Sequence, residues 1–230
     1  MTTTTPTTTS ADAAPASSRR SATRAKLLEA AFEVFAEKGL HGASVDDLAA
    51  AAGFTKGALY SNFATKEQLF GAVIDEQGHR MIAAVREVMD AHADDIDGHR
   101  ELGPGPHADV ELLSEVLEGL DGLGHRWSLL ETEFELYGLR SPEGRELYAA
   151  HCTHFRDELG GLLAELLARK GRRLLVPPAQ LAEIVVVVYM NHIAQRLLDT
   201  VPEGAVGLLD GVLPGIFESF SEPDGSARTC

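Results

Sequence analysis

From Ser21 onward, apolar side chains return with the period of an α-helix rather than that of a strand. Leu28, Ala31, Phe32 and Phe35 fall at i, i+3, i+4 and i+7 and make one apolar stripe. Gly39 follows where a left-handed C-cap belongs. Ser44 and Asp47 resemble a capping box, with Asp in place of the usual Glu or Gln. They open a helix whose apolar face is Val45, Leu48 and Ala49. Ala52-Gly53-Phe54 reads as a tight turn, after which Thr55 starts a short helix holding Leu59, Tyr60 and Phe63. Thr65 and Gln68 repeat the capping-box pattern and begin a long helix from Lys66 to about His92.

Residues 93–106 are charged and rich in Gly and Pro, as a loop would be. Helical periodicity resumes over about 107–121, 124–140, 142–170, 178–200 and 203–220, with Pro142, Pro177-Pro178 and Pro202 at boundaries that suit a helix start. Val185 to Val188 are β-branched, but they sit inside the long pattern from Leu181 to Leu198 and read as helix. No strand is expected elsewhere. The pattern predicts an all-α fold, with an N-terminal three-helix head that contains a helix-turn-helix and a C-terminal helical bundle. Residues 1–18 are Thr, Ser, Ala and Pro with almost no large apolar side chain, so a disordered tail is expected there. The head spans 19–66, the bundle 67–220, and 221–230 form a flexible end.

Two short helices joined by a turn containing Gly are the geometry that enters a major groove. The second helix carries suitable chemistry. Thr55, Lys56, Tyr60, Ser61 and Asn62 all offer hydrogen-bond donors, and Gly57 lets a DNA backbone or base edge come close. Leu59 and Phe63 can pin this helix to its neighbours, and Lys66 lies at a helix N-terminus that also favours phosphate. The same geometry occurs in proteins that never touch DNA, and Tyr60 alone could be an ordinary half-buried tyrosine.

Charge first argues against nucleic acid, since the 230 residues carry a formal net −15. The distribution reverses that argument. Residues 1–66 hold seven Lys/Arg and six Asp/Glu, a net of +1, so the acidic excess lies in the remainder. A phosphate-binding surface needs only local positive charge. The longest apolar run, Ile184 to Met190, is far short of the roughly 20 residues that cross a bilayer, so no membrane partner is expected. No apolar signal segment follows Arg19-Arg20, and two cysteines are too few for a disulfide framework; both point to a reducing cytoplasm.

The stretch from Thr23 to Phe70, TRAKLLEAAFEVFAEKGLHGASVDDLAAAAGFTKGALYSNFATKEQLF, closely resembles the DNA-binding domain of the tetracycline-repressor (TetR) family. Its most specific part is TKGALYSNFATKEQLF. The resemblance implies that Thr55 to Asn62 reads the major groove of a double-stranded operator and that Tyr60 and Lys66 contact phosphates. Ser44 would also touch the backbone, and Arg24 would reach a phosphate or the minor groove. It further implies a homodimer on a palindromic site, whose bundle binds a small molecule. The Thr-rich tail departs from the family pattern and leaves open whether Arg19 and Arg20 add DNA contacts.

In the bundle, Trp127, Leu130, Glu131 and Phe134 share one helical face, which leaves Glu131 on an apolar stripe in need of a partner; a salt bridge is the expected answer. Tyr148, His151, Cys152 and Phe155 lie together on the next helix. His151 and His154 supply two metal ligands at best, and no adjacent Cys/His pair completes a site, so no metal and no cofactor are expected. Trp127, Phe134, His151 and Tyr189 are the candidate ligand contacts, because pockets are mostly apolar with few polar anchors. The apolar helices over 178–200 and 203–220 suit an isologous dimer interface, or else close the monomer's own core.

These readings combine into a ligand-responsive regulator, a repressor released from its operator by a small molecule that changes half-site spacing. The alternative is a helical ligand-binding or scaffolding protein whose head no longer reads DNA. The intact Lys56, Tyr60 and Lys66 set argues against it. No nucleophile elbow, phosphate-cradling loop or HExxH motif is present, and adjacent His151 and Cys152 point about 100° apart on a helix, so an enzyme is not expected.

Overall fold

A computed structural model describes residues 16–91, 121–200 and 208–224. The chain divides into two compact units, Met1–Val73 and Ile74–Cys230. The first holds α1 (Ala16–Gly42), α2 (Val45–Ala51), α3 (Lys56–Tyr60) and the start of α4 (Lys66–Ala91). The second holds the rest of α4, then α5 (Asp121–Arg140), α6 (Pro142–Arg169), β1 (Arg172–Leu174), α7 (Pro178–Leu197), α8 (Leu208–Ser219) and β2 (Ser221–Pro223). The expected loop over 93–106 and nearly all of the helix expected over 107–121 lie outside the described residues.

Local signals account for most boundaries of the first unit. The Ser44 hydroxyl accepts from the Asp47 amide at 3.1 Å while the Asp47 carboxylate accepts from the Ser44 amide at 3.0 Å, a complete capping box. Thr65 accepts from the Gln68 amide at 3.0 Å, but the Gln68 side chain accepts from Ala64, not Thr65, at 3.2 Å. Helix α1 begins at Ala16, so the last residues of the expected tail are helical; residues 1–15 lie outside the described residues. Gly39 has the expected positive φ, 70°, but its ψ of 173° is not that of a left-handed cap. It kinks the chain, and helical bonding continues to Gly42. Leu28, Ala31 and Phe35 are buried as the stripe requires, and Phe35 meets Phe70 edge-on at 5.0 Å.

The second unit is built on a buried cluster from α4, α5, α6, α7 and α8 that includes Met81, Val85, Trp127, Phe155, Leu162, Val185, Tyr189, Ile193 and Leu213. The β-branched run is helical, as its setting between Leu181 and Leu198 required. The C-terminal expectation needs correction. Residues 221–223 are not a flexible end: they pair antiparallel with β1, Leu174 opposite Ser221 and Arg172 opposite Pro223. Buried Ser221 accepts from Arg172 Nε at 2.7 Å through its hydroxyl and from Arg172 Nη2 at 3.0 Å through its carbonyl. Three-residue strands carry too little alternation to be seen in a sequence. Residues 225–230 lie outside the described residues.

Two adjacent glycines of α6 differ sharply in surroundings. A methyl group at Gly160 would stand 2.7 Å from the Pro178 carbonyl carbon and 2.8 Å from its oxygen, whereas at Gly161 nothing lies within 4 Å. Gly160→Ala is therefore expected to destabilise the protein by about 1–3 kcal/mol through overpacking. Gly161→Ala should stabilise it by about 0.5–1 kcal/mol through helix propensity. Urea unfolding of both variants checks this, and shifts of the same sign would contradict the packing of α6 on the start of α7.

Candidate nucleic-acid interface and bundle site

Helices α2 and α3 are joined through Gly53, whose φ of 69° lets the chain reverse while Phe54 donates its amide to Ala49 at 2.9 Å. Thr55 caps α3 by accepting from the Ala58 amide at 3.2 Å. At the other end the Ser61 hydroxyl and the Asn62 side-chain Nδ2 both donate to the Ala58 carbonyl at 2.8 Å. A helix this short leaves most of its backbone groups without helical partners, and these side chains supply some of the missing ones. Leu59 and Phe63 are buried and fix the helix to the head, as expected.

The residues singled out in the sequence thus fall into two sets. Thr55, Ser61, Asn62 and Ser44 are engaged in capping. Lys56, Gly57 and Tyr60 face outward, Tyr60 with about half its surface exposed (51%). The Lys56 ammonium pairs with Asp46 at 2.8 Å, and that neighbour pushes its pKa up. Lys66 is turned inward, donating to the Ala43 carbonyl at 2.9 Å and tying α4 to the loop before α2. An ammonium has three donors, so this bond does not exhaust it. Arg24 lies 4.9 Å above the Phe63 ring. Arg20 donates to the Ser61 carbonyl at 3.3 Å, which brings a second arginine beside the end of α3. The sequence flagged Arg20 as a charge but could not give its position.

In the bundle unit Trp127, Phe134, His151 and Tyr189 are all buried. Phe155 links three of them: its centroid is 5.5 Å from Trp127 and 6.1 Å from His151, and His151 in turn is 5.8 Å from Phe134. Tyr189 and Trp127 belong to the same apolar cluster. The partner Glu131 needed is His151, whose Nε2 lies 3.2 Å from Glu131 Oε2, close enough for an ion pair but without hydrogen-bond alignment. On the ring's other side Nδ1 is 2.8 Å from Asp75 Oδ1. Burial by itself pushes His151 down, but the two carboxylates outweigh it and hold its pKa up at about 9. Burial also pushes the neighbouring Tyr148 hydroxyl and Cys152 thiol up. Trp127 Nε1 is buried with no hydrogen-bond acceptor among the described residues.

The pattern that defines the family described as "Bacterial regulatory proteins, tetR family" matches residues 27–73. Over 66 residues the chain is 38% identical to the HTH-type transcriptional activator FasR of Mycolicibacterium smegmatis, a match that covers 29% of this chain and 30% of FasR. Residues 27–73 are thus a tetR-family DNA-binding segment. A longer, weaker likeness, 28% identity over 174 residues, relates it to the HTH-type transcriptional repressor AcnR of Corynebacterium efficiens, covering 76% of this chain and 81% of AcnR. Among solved structures, a tetR-family member from Streptomyces coelicolor A3 superposes with a TM-score of 0.55 at 26% identity, over 84% of this chain and 97% of that one. The alignments to FasR and to relatives of similar rank take in only about a third of those proteins' length. The tetR-family match ends at residue 73, where the first compact unit ends too. The capped α2 and α3, their Gly53 turn and the outward Lys56, Gly57 and Tyr60 all lie inside the tetR-family stretch.

Proposed function

We propose that this protein is a ligand-responsive transcriptional regulator, a repressor, that binds a palindromic operator as a homodimer and is released by a small molecule. The observation that carries the DNA reading is α3 itself: its ends are capped by Thr55, Ser61 and Asn62, its apolar side is buried, and Lys56, Gly57 and Tyr60 are left facing solvent. Those groups are suited to a groove, with a cation and a phenol for phosphate or base edges and a glycine that permits close approach. Arg24 and Arg20 add positive charge at the end of the same helix. Ser44 and Lys66 act on DNA, in this reading, through the order they impose on α2 and α4 as well as by contact.

Exposed Val187, Leu198 and Val212 (62%, 71% and 41%) lie on or at the end of α7 and on α8, and they support an isologous dimer interface there. Buried Trp127 Nε1, on a ring that packs against Phe155, supports a ligand that is largely apolar and carries a hydrogen-bond acceptor. No helix among the described residues is long and apolar enough to cross a membrane.

The test is selection of binding sites from genomic DNA, followed by fluorescence anisotropy against salt. A palindromic site bound by two subunits is the expected result. Weak, sequence-independent binding at every salt concentration would favour instead a helical ligand-binding protein with a silent head.

A further inference from the structure

Three side chains outside the site described above converge on one point. His79 projects from α4, within the second unit, and His154 and Glu158 project from α6 one turn apart. His79 Nε2 and His154 Nε2 are 3.2 Å apart. Glu158 reaches toward both, with Oε1 3.6 Å from His154 Nε2 and Oε2 4.0 Å from His79 Nε2. All three donor groups lie within 4.8 Å of one another.

We propose that His79, His154 and Glu158 bind a divalent first-row transition metal ion of borderline softness, zinc being the representative case. Two imidazole nitrogens bound to one tetrahedral zinc at about 2.0–2.1 Å stand a little over 3 Å apart, the spacing found here. The Glu158 carboxylate, directed at the same two nitrogens, adds a third donor to the pair. The ring planes are inclined by 63°, so the imidazoles do not stack face to face. Nitrogen donors favour zinc, nickel or cobalt over magnesium or calcium, which prefer oxygen cages. Half or more of each histidine side chain is exposed (51% and 58%), which leaves the outer side open to a water ligand. Two histidines, one carboxylate and water form a recurrent open zinc set. The sequence set this aside because His151 and His154 gave two ligands at best. Of those two only His154 belongs here; Glu158 joins it from the next turn of α6, and His79 comes from 75 positions earlier in the chain. A bound ion would fasten α4 to α6.

The experiment uses the full-length protein without an affinity tag, stripped with a chelator. Zinc is titrated against a chromophoric chelator, cobalt absorption is recorded, and melting is followed with and without zinc. One ion per chain is expected, with visible cobalt bands of a four- or five-coordinate site and a zinc-dependent rise in melting temperature. His79→Ala and His154→Ala should each weaken binding by more than about 100-fold, beyond the cost of losing a group that only orients a ligand. Because both side chains are exposed, the metal-free variants should melt as the metal-free parent does, which separates lost binding from lost folding. No zinc binding by the parent chain, or unchanged affinity in the His79→Ala/His154→Ala double variant, would overturn the proposal.

Discussion

Lys56→Ala combined with Tyr60→Phe is expected to weaken operator binding at least about 100-fold. A hydrogen bond to a charged group is worth about 1.5–3 kcal/mol, so two such losses in each half-site reach that size. Both side chains face solvent and neither closes the core, so the melting temperature should barely move. The slope of log affinity against log salt should fall by about 1 for each phosphate that the variant no longer neutralises. Asp46→Asn should act in the opposite direction, because it frees the Lys56 ammonium from its ion pair with Asp46. Lys66→Ala should behave differently from Lys56→Ala. It removes a hydrogen bond to the Ala43 carbonyl and is expected to cost stability of about 1 kcal/mol as well as affinity. Anisotropy and thermal melts on the three variants decide the matter: full affinity in the Lys56/Tyr60 double variant would remove α3 from the DNA interface.

His151→Leu is expected to destabilise the bundle by about 3–5 kcal/mol near neutral pH, because it leaves the buried Glu131 carboxylate without its cation. The parent protein should also lose stability as the solution becomes alkaline. The folded pKa of His151, about 9, lies above that of an unfolded histidine, near 6.5. Between these values the folded state binds the proton and the unfolded state does not, so stability falls as pH rises. The contribution is complete below about pH 6.5 and lost above about pH 9, on the order of 3 kcal/mol in all. Urea unfolding of the parent and His151→Leu across that range gives the difference. If the two curves run parallel, His151 does not carry the proton in the folded state.

The elements that could be read from the chain were those set by neighbours within a turn or two. Ser44 with Asp47, Thr55 before Ala58, and Thr65 with Gln68 are contacts between residues three apart, so the sequence displays both partners together. The burial of Trp127, Leu130 and Phe134 followed from helical period, because a stripe is a property of one helix. The demand of Glu131 for a partner was legible too, since a carboxylate on an apolar face must be compensated; which residue answered it was not.

Tertiary structure decided whatever joins residues distant along the chain. It set Asp75 and Glu131 on opposite sides of His151, and 76 positions separate Asp75 from that ring. It turned Lys66 onto Ala43, gave Arg20 to the end of α3, and drew residues 221–223 onto β1. It also brought His79 to His154 and Glu158. Helical period and capping are written into runs of a few residues, so the amino-acid sequence determined by itself an all-α chain with a capped helix-turn-helix head. The ionic centre of the bundle, the neighbours of each exposed cation and the metal-ligand triad depend on which helix faces pack together, and no local pattern records that choice.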